Sequence, residues 1–303
     1  MTKTLALDAK LWLFIALALF AAFYLWILIA AVRRRAMTEP VRPKPKAAAT
    51  GLVTAFFDTL GIGSFATTTS IFRHWRIVDD GVMPGTLNVG ITLPTVVQAY
   101  IYTRLIPVDS RTLILMIAAS VVGAWIGAGI VARWPKPRIQ VGMGTALLIA
   151  AAIFLGQALS FLPSPGVALG LTGGKLAVAL LCNFALGALM TLGIGLYAPC
   201  MILVSLLGLT PTAAFPIMMG SCAFLMPVAS ARFIKLDRYD VRAALGLAIG
   251  SIPAVLLAAF IVKSLNLTAV RWLVIVVVVY TAIGLLRAAR LERGVAGAAA
   301  EAA

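Results

Sequence analysis

Two copies of one short string offer the backbone and hydroxyl groups that suit a small anion. Thr59-Leu-Gly-Ile-Gly63 recurs as Thr191-Leu-Gly-Ile-Gly195, 132 positions later, and each copy is followed at the same offset by a proline, Pro84 and Pro216. Both copies interrupt long apolar stretches in which glycine is costly to a helix. The residues around them are Gly61, Ile62, Gly63, Ser64, Phe65 and Thr67 in the first copy, and Gly193, Gly195, Leu196, Tyr197 and Pro199 in the second. Glycine lets backbone approach a ligand, Ser and Thr add donors, and aromatic rings can wall an organic portion. A half-helix that restarts after such a break presents free N–H groups and the positive end of its dipole, which favours anions.

A second polar group follows each copy. Thr86 and Asn88 lie near the start of one apolar span, and their counterpart in the second half offers Ser221 beside Pro216 and Gly220. Asn88 and Gln98 within an apolar span are costly unless bonded, so both are expected to face the interior. Asp58 is the sole carboxylate well inside an apolar stretch, three residues before Gly61. It is the candidate for proton coupling, or for pairing with a buried arginine. Asn183 and Thr191 are weaker polar candidates, and His74, flanked by Arg73 and Arg76, reads as a solvated loop position. No metal-ligand spacing, Walker motif or nucleophile elbow occurs, so neither metal nor cofactor is expected, nor ATP-driven pumping or catalysis.

The elements that position these residues must be membrane helices. Hydrophobic residues make up 62% of the 303 positions and charged residues 12%, against roughly 25% charged in a soluble domain. Several runs reach the roughly 20 apolar residues that cross a bilayer core, and strand alternation is absent. The net charge of +15 sits in short clusters between apolar runs. That distribution suits the positive-inside rule and excludes a nucleic-acid partner. Cys182, Cys200 and Cys222 lie within apolar runs and read as small hydrophobes.

Leu11 to Val32 forms a first apolar run that ends on Arg33-Arg34-Arg35. Its charges follow the apolar core, so it reads as a retained helix with the N-terminus outside. Residues 1–35 thus form an extra N-terminal helix, and 36–50 a cytoplasmic linker whose Pro40, Pro43 and Pro45 argue against helix. The body divides into two repeats, 51–162 and 175–286, with a cytoplasmic tail at 287–303. Leu176 to Leu207 is 32 residues without a charge; as one helix it would be about 48 Å long, too long for a single crossing. Each glycine pair is therefore expected to break its segment into a re-entrant hairpin of two half-helices. Three full spans follow in each half: Val82–Tyr102, Thr112–Ala132 and Ile139–Phe161, then Phe215–Ala231, Ala243–Val262 and Trp272–Leu286. An odd number of crossings inverts the second repeat. That topology puts 18 of the 25 Lys and Arg inside, against 16 for parallel repeats.

The strings Asp58-Thr-Leu-Gly-Ile-Gly-Ser-Phe65, Pro84-Gly-Thr-Leu-Asn-Val-Gly90 and Leu192-Gly-Ile-Gly-Leu-Tyr-Ala-Pro199 resemble the TauE/SafE family of sulfite exporter-like permeases, over about residues 51 to 286. The resemblance implies two duplicated halves, each opening on a glycine-rich broken helix, and Gly61, Gly63, Ser64, Gly193, Gly195 and Tyr197 as site residues. It implies transport of sulfite, sulfonates, thiosulfate-related anions or other organic acids. This chain departs from the family in its added first helix and shorter glycine runs. The expectation is an all-α, multi-pass protein of a bacterial inner membrane, with inverted repeats and its C-terminus in the cytoplasm. It would export a small sulfur-containing anion such as sulfite or an organosulfonate, bound between the two hairpin tips and moved by alternating access. Its partners would be that anion and the lipid bilayer, and the oligomeric state stays open. The alternatives are a carrier of another small organic anion and a non-transporting scaffold or sensor subunit.

Overall fold

The computed structural model describes residues 2–131, 136–161, 166–190, 196–264 and 267–301. Their regular structure is helical. Eleven α-helices run in the order α1 (Thr2–Ala36), α2 (Pro45–Thr59), α3 (Ser64–His74), α4 (Met83–Leu105), α5 (Ser110–Val131), α6 (Lys136–Ala158), α7 (Gly173–Met190), α8 (Tyr197–Leu206), α9 (Ala214–Lys235), α10 (Val241–Ser264) and α11 (Leu267–Glu301). A 3-10 turn at Pro211–Ala213 leads into α9, and one isolated bridge pairs Ala168 with Leu209.

Among the described residues, six segments are long and apolar enough to cross a membrane: Lys10–Ala36, Pro137–Ala158, Gly173–Met190, Pro211–Lys235, Val241–Ile261 and Trp272–Leu291. Five coincide with crossings expected from the sequence. α4 has 23 residues, about 35 Å, but a line of polar residues along it lowers its hydropathy. α7, expected as half of a hairpin, has 18 residues, about 27 Å and close to a hydrocarbon thickness. The helix α2 begins at Pro45, inside the expected linker. Proline at the first helical position loses no hydrogen bond that the helix could have made, so it starts a helix rather than preventing one.

Contacts sort the chain into two compact units, Met1–Ile117 with Phe215–Ser264, and Ala118–Ala214 with Leu265–Ala303. In the first, α2 lies against α10 backbone to backbone. A Cβ built on Gly250 would come 1.9 Å from the Ala48 carbonyl oxygen, and one on Gly246 would come 2.5 Å from that of Lys44. Gly246 and Gly250 are four apart on one face of α10, the spacing of small residues that lets membrane helices approach closely. Gly51 of α2 returns the contact on Leu247, and Gly90 of α4 packs on Leu247 and Ala244.

The first helix belongs to the same unit. Tyr24 is fully buried and donates its hydroxyl to the Val89 carbonyl of α4, while Phe14 packs on Tyr100 and Phe20 on Phe224. The loop before α10 ties the ends together. Lys44 Nζ meets Asp240 Oδ2 at 2.6 Å and donates to the Ile77 carbonyl at 2.8 Å, and the Asp240 N–H donates to Thr86 Oγ1 at 2.9 Å. In the second unit α6 packs along α11, and Gly123 of α5 and Gly187 of α7 abut the Phe184 and Ser120 carbonyls respectively.

The close packing of α2 on α10 makes a direct prediction. Gly250→Ala should lower stability by about 1–3 kcal/mol, because the new methyl overpacks a backbone contact. Gly142→Ala, whose Cβ would meet nothing within 4 Å, should be neutral or stabilising by up to about 1 kcal/mol. Thermal unfolding of the purified variants in detergent reads both, and equal losses would remove the packing argument.

Candidate functional site

The expected break at the first glycine pair is present. α2 stops at Thr59, and Leu60 is followed by Gly61 at φ 98° and Gly63 at φ 80°. Both values lie in the left-handed region that glycine enters without a Cβ penalty. The Gly61 N–H donates to the Asp58 carbonyl at 2.8 Å, and the Ile62 N–H to the Phe57 carbonyl at 3.1 Å. This pair of bonds is the Schellman arrangement, which satisfies the last carbonyls of a helix. The chain then restarts at once as α3.

The amino end of α3 has no capping side chain at its own N-cap, Gly63. The cap comes instead from six residues back. Asp58 Oδ1 accepts the Ser64 N–H at 2.6 Å, with Asp58 only 4% exposed. Its other oxygen, Oδ2, accepts from Gln98 Nε2 at 2.9 Å, and the same nitrogen lies 2.9 Å from Thr59 Oγ1. The Tyr102 hydroxyl donates to the Thr59 carbonyl at 3.0 Å. Both carboxyl oxygens thus have a donor, so neither is left unpaired in the buried site. A negative charge at a helix amino end is the favoured sign. Among the described residues no arginine pairs with Asp58; it closes the broken helix on itself and fastens it to α4.

The groups left open at this end are those that an anion needs. The first N–H groups of a helix lack intrahelical acceptors, and beyond Ser64 these belong to Phe65 and Ala66. The Ser64 hydroxyl is buried beside the Asp58 carboxylate and makes no hydrogen bond of good geometry. Thr67 Oγ1 donates to the Ser64 carbonyl at 2.9 Å, so it braces the turn. Further along, Thr68 Oγ1 donates to Thr54 Oγ1 at 3.0 Å and holds α3 against α2. Phe65 is half-buried.

Other residues singled out in the sequence lie elsewhere. Thr86 Oγ1 donates to the Val82 carbonyl and accepts the Asp240 N–H, a tie between α4 and the loop before α10. Asn88 donates to the Pro84 carbonyl at 2.9 Å, and Ser221 to the Ile217 carbonyl at 2.8 Å, each within its own helix. None of the three bonds to the α2–α3 turn. Leu196 and Tyr197 are buried and Pro199 half-buried at the start of α8; Thr191, Gly193 and Gly195 lie outside the described residues.

Thr59 and Tyr102 were missed, and the signal for Tyr102 was readable. Asn88, Thr92, Thr95, Gln98 and Tyr102 recur at intervals of three and four, which puts them on one face of a helix. Removing the donor at Gln98 should cost more than removing the one at Tyr102. Gln98→Leu strands a buried carboxylate oxygen and should lose about 1–3 kcal/mol, whereas Tyr102→Phe should lose about 0.5–1.5 kcal/mol. Thermal unfolding in detergent ranks the two, and a Gln98→Leu chain as stable as the native one would contradict the network.

The family described as sulfite exporter TauE/SafE matches residues 3–154. That stretch takes in the first helix, the broken α2–α3 segment, α4, α5 and most of α6, and it is just over half of the chain. No curated relative and no solved structure matches the chain. Apolar crossing helices, a glycine break capped by an internal carboxylate and this match converge on one assignment: the chain is a multi-pass membrane protein that belongs to the sulfite exporter TauE/SafE family.

Proposed function

We propose that the chain is a secondary transporter that exports a small sulfur-containing anion, such as sulfite or an organosulfonate, and that the amino end of α3 forms part of its binding site. The observation that carries the reading is the Asp58–Ser64 contact. This helix end already binds a carboxyl oxygen, and a sulfonate or sulfite presents oxygens of the same accepting kind. The substrate class comes from the family's description. The Ser64 hydroxyl and the Phe65 and Ala66 N–H groups are the donors assigned to the anion. Gly193, Gly195, Leu196 and Tyr197 of the second copy are assigned the same kind of role, by repetition of the motif.

In this reading α2–α3 is a re-entrant hairpin. Its two helices have 15 and 11 residues, about 22 and 16 Å, each short of a bilayer core of roughly 30 Å. The repeats at 51–162 and 175–286 are inverted, the protein lies in a bacterial inner membrane, and its N-terminus is outside. Alternating access moves the anion. The membrane potential supplies a drive, since about 100 mV on one elementary charge is worth roughly 2.3 kcal/mol. Asp58 supplies the coupling. An arriving anion is repelled by the carboxylate, and a proton taken up there removes the repulsion.

Ser64→Ala tests the site without disturbing what holds it. The substituted chain keeps the backbone N–H that Asp58 accepts, so its own unfolding temperature should change little. A ligand that binds the folded chain raises that temperature by mass action. Sulfite, sulfoacetate, taurine, thiosulfate, sulfate and acetate form the panel. At least one sulfur anion should stabilise the native chain, with affinity about tenfold weaker in Ser64→Ala for the loss of one donor. Stabilisation by acetate alone would move the substrate to the carboxylates. No shift with any anion at low or high pH would contradict the transporter reading.

A further inference from the structure

A cleft of about 290 Å³ opens where the basic end of α1 meets the end of α9, in the same compact unit but on residues that the proposed transport site does not use. Its apolar wall is Trp26, Ile27 and Ala30 of α1. One turn further along α1, Arg34 and Arg35 also line the cleft, as does Lys235 from the last turn of α9. Arg35 is committed: it pairs with Asp237 and with Glu39 at 3.3 Å. Arg34 and Lys235 join no ion pair or side-chain hydrogen bond among the described residues. Arg34, within electrostatic reach of Tyr239, and Lys235 thus line the cleft without an ion pair among the described residues, and its one acidic side chain, Asp237, pairs with Arg35.

We infer that this cleft is a binding site for the headgroup of an anionic phospholipid. The apolar wall continues outward into the exposed face of α1, where Trp26 is 70% exposed, Phe23 43% and Ile29 47%. In a membrane protein that face is covered by acyl chains, so a ligand filling the cleft has an oxyanion at one end and hydrocarbon at the other. Tryptophan at the end of a span belongs to the interface, where headgroups lie. Basic pockets between helices on the cytoplasmic side take acidic headgroups. The volume is at the small end of the roughly 300–1,000 Å³ of small-molecule sites, enough for a phosphate with its glycerol but not for a whole lipid. A soluble phosphate or sulfur anion would satisfy Arg34 and Lys235 but leave the apolar wall unused.

The test is native mass spectrometry of the full chain released from detergent after equal exposure to phosphatidylglycerol and phosphatidylcholine. It reads only folded protein, so a misfolded fraction does not enter the count. The native chain should retain phosphatidylglycerol over phosphatidylcholine. Arg34→Gln with Lys235→Gln should reduce that preference roughly ten- to thirtyfold, at about three- to fivefold per basic residue. Arg34→Lys, which keeps the charge, should retain it. Arg287→Gln with Arg290→Gln, an equal loss of charge in the other unit, should leave it unchanged. Equal retention of the two lipids would overturn the inference, as would equal losses in the two double variants. A soluble source is separated by thermal unfolding with inorganic phosphate and glycerol 3-phosphate. Stabilisation by either that matches phosphatidylglycerol would replace the lipid with a free oxyanion.

Discussion

A helix broken inside an apolar protein leaves backbone N–H groups with nowhere to go, and in lipid each unsatisfied group costs several kcal/mol. This chain answers with a single carboxylate. Asp58 ends one helix and caps the next, accepting the Ser64 N–H across a turn whose two glycines have positive φ. The arrangement needs all of its parts. Without the left-handed glycine at 61 the Schellman bonds do not form, and without the turn Asp58 cannot reach back over the start of α3. A side-chain cap of this kind is worth about 1 kcal/mol.

The rest of the unit can be understood as support for that carboxylate. α2 is fixed because Gly246 and Gly250 let α10 come within backbone contact of it. α4 is fixed at its start by the Thr86–Asp240 bond and at its far end by Tyr102, which stacks on Phe215 with ring centroids 5.1 Å apart. Between these anchors Gln98 donates to the second Asp58 oxygen, Ser64 having the first. Dispersion and small-residue packing set the backbone, and the polar network then selects one register. In the proposed function the same network takes part, because the carboxyl that caps α3 is also the group that an incoming anion would meet.

What could be read in advance divides along the range of the interactions. Glycine pairs inside apolar runs gave the break, because breaking a helix is a local property. The family likeness also rested on local strings. Asp58 was marked as unusual, but its partner was not legible, since the partner is a backbone N–H that faces it only once Gly61 and Gly63 have turned the chain. Gln98 and Tyr102 reach Asp58 and Thr59 from some 40 positions away in the sequence, and only their helical spacing hinted at a shared face. Pro45 opens α2 because the first helical position needs no N–H donor, and Thr86 ties α4 to the loop before α10, a partner 154 positions away. The Gly246–Gly250 spacing was visible and went unused.

Hydrogen exchange of the α2–α3 turn in an Asp58→Ala chain tests the central claim most directly. The account predicts that amides from Ser64 to Thr67 exchange much faster than in the native chain, that Asp58→Asn restores part of the protection by keeping an acceptor, and that α10 is unchanged. Native protection at Ser64 in the Asp58→Ala chain would contradict it, and would mean that the broken helix is held by something other than this carboxylate.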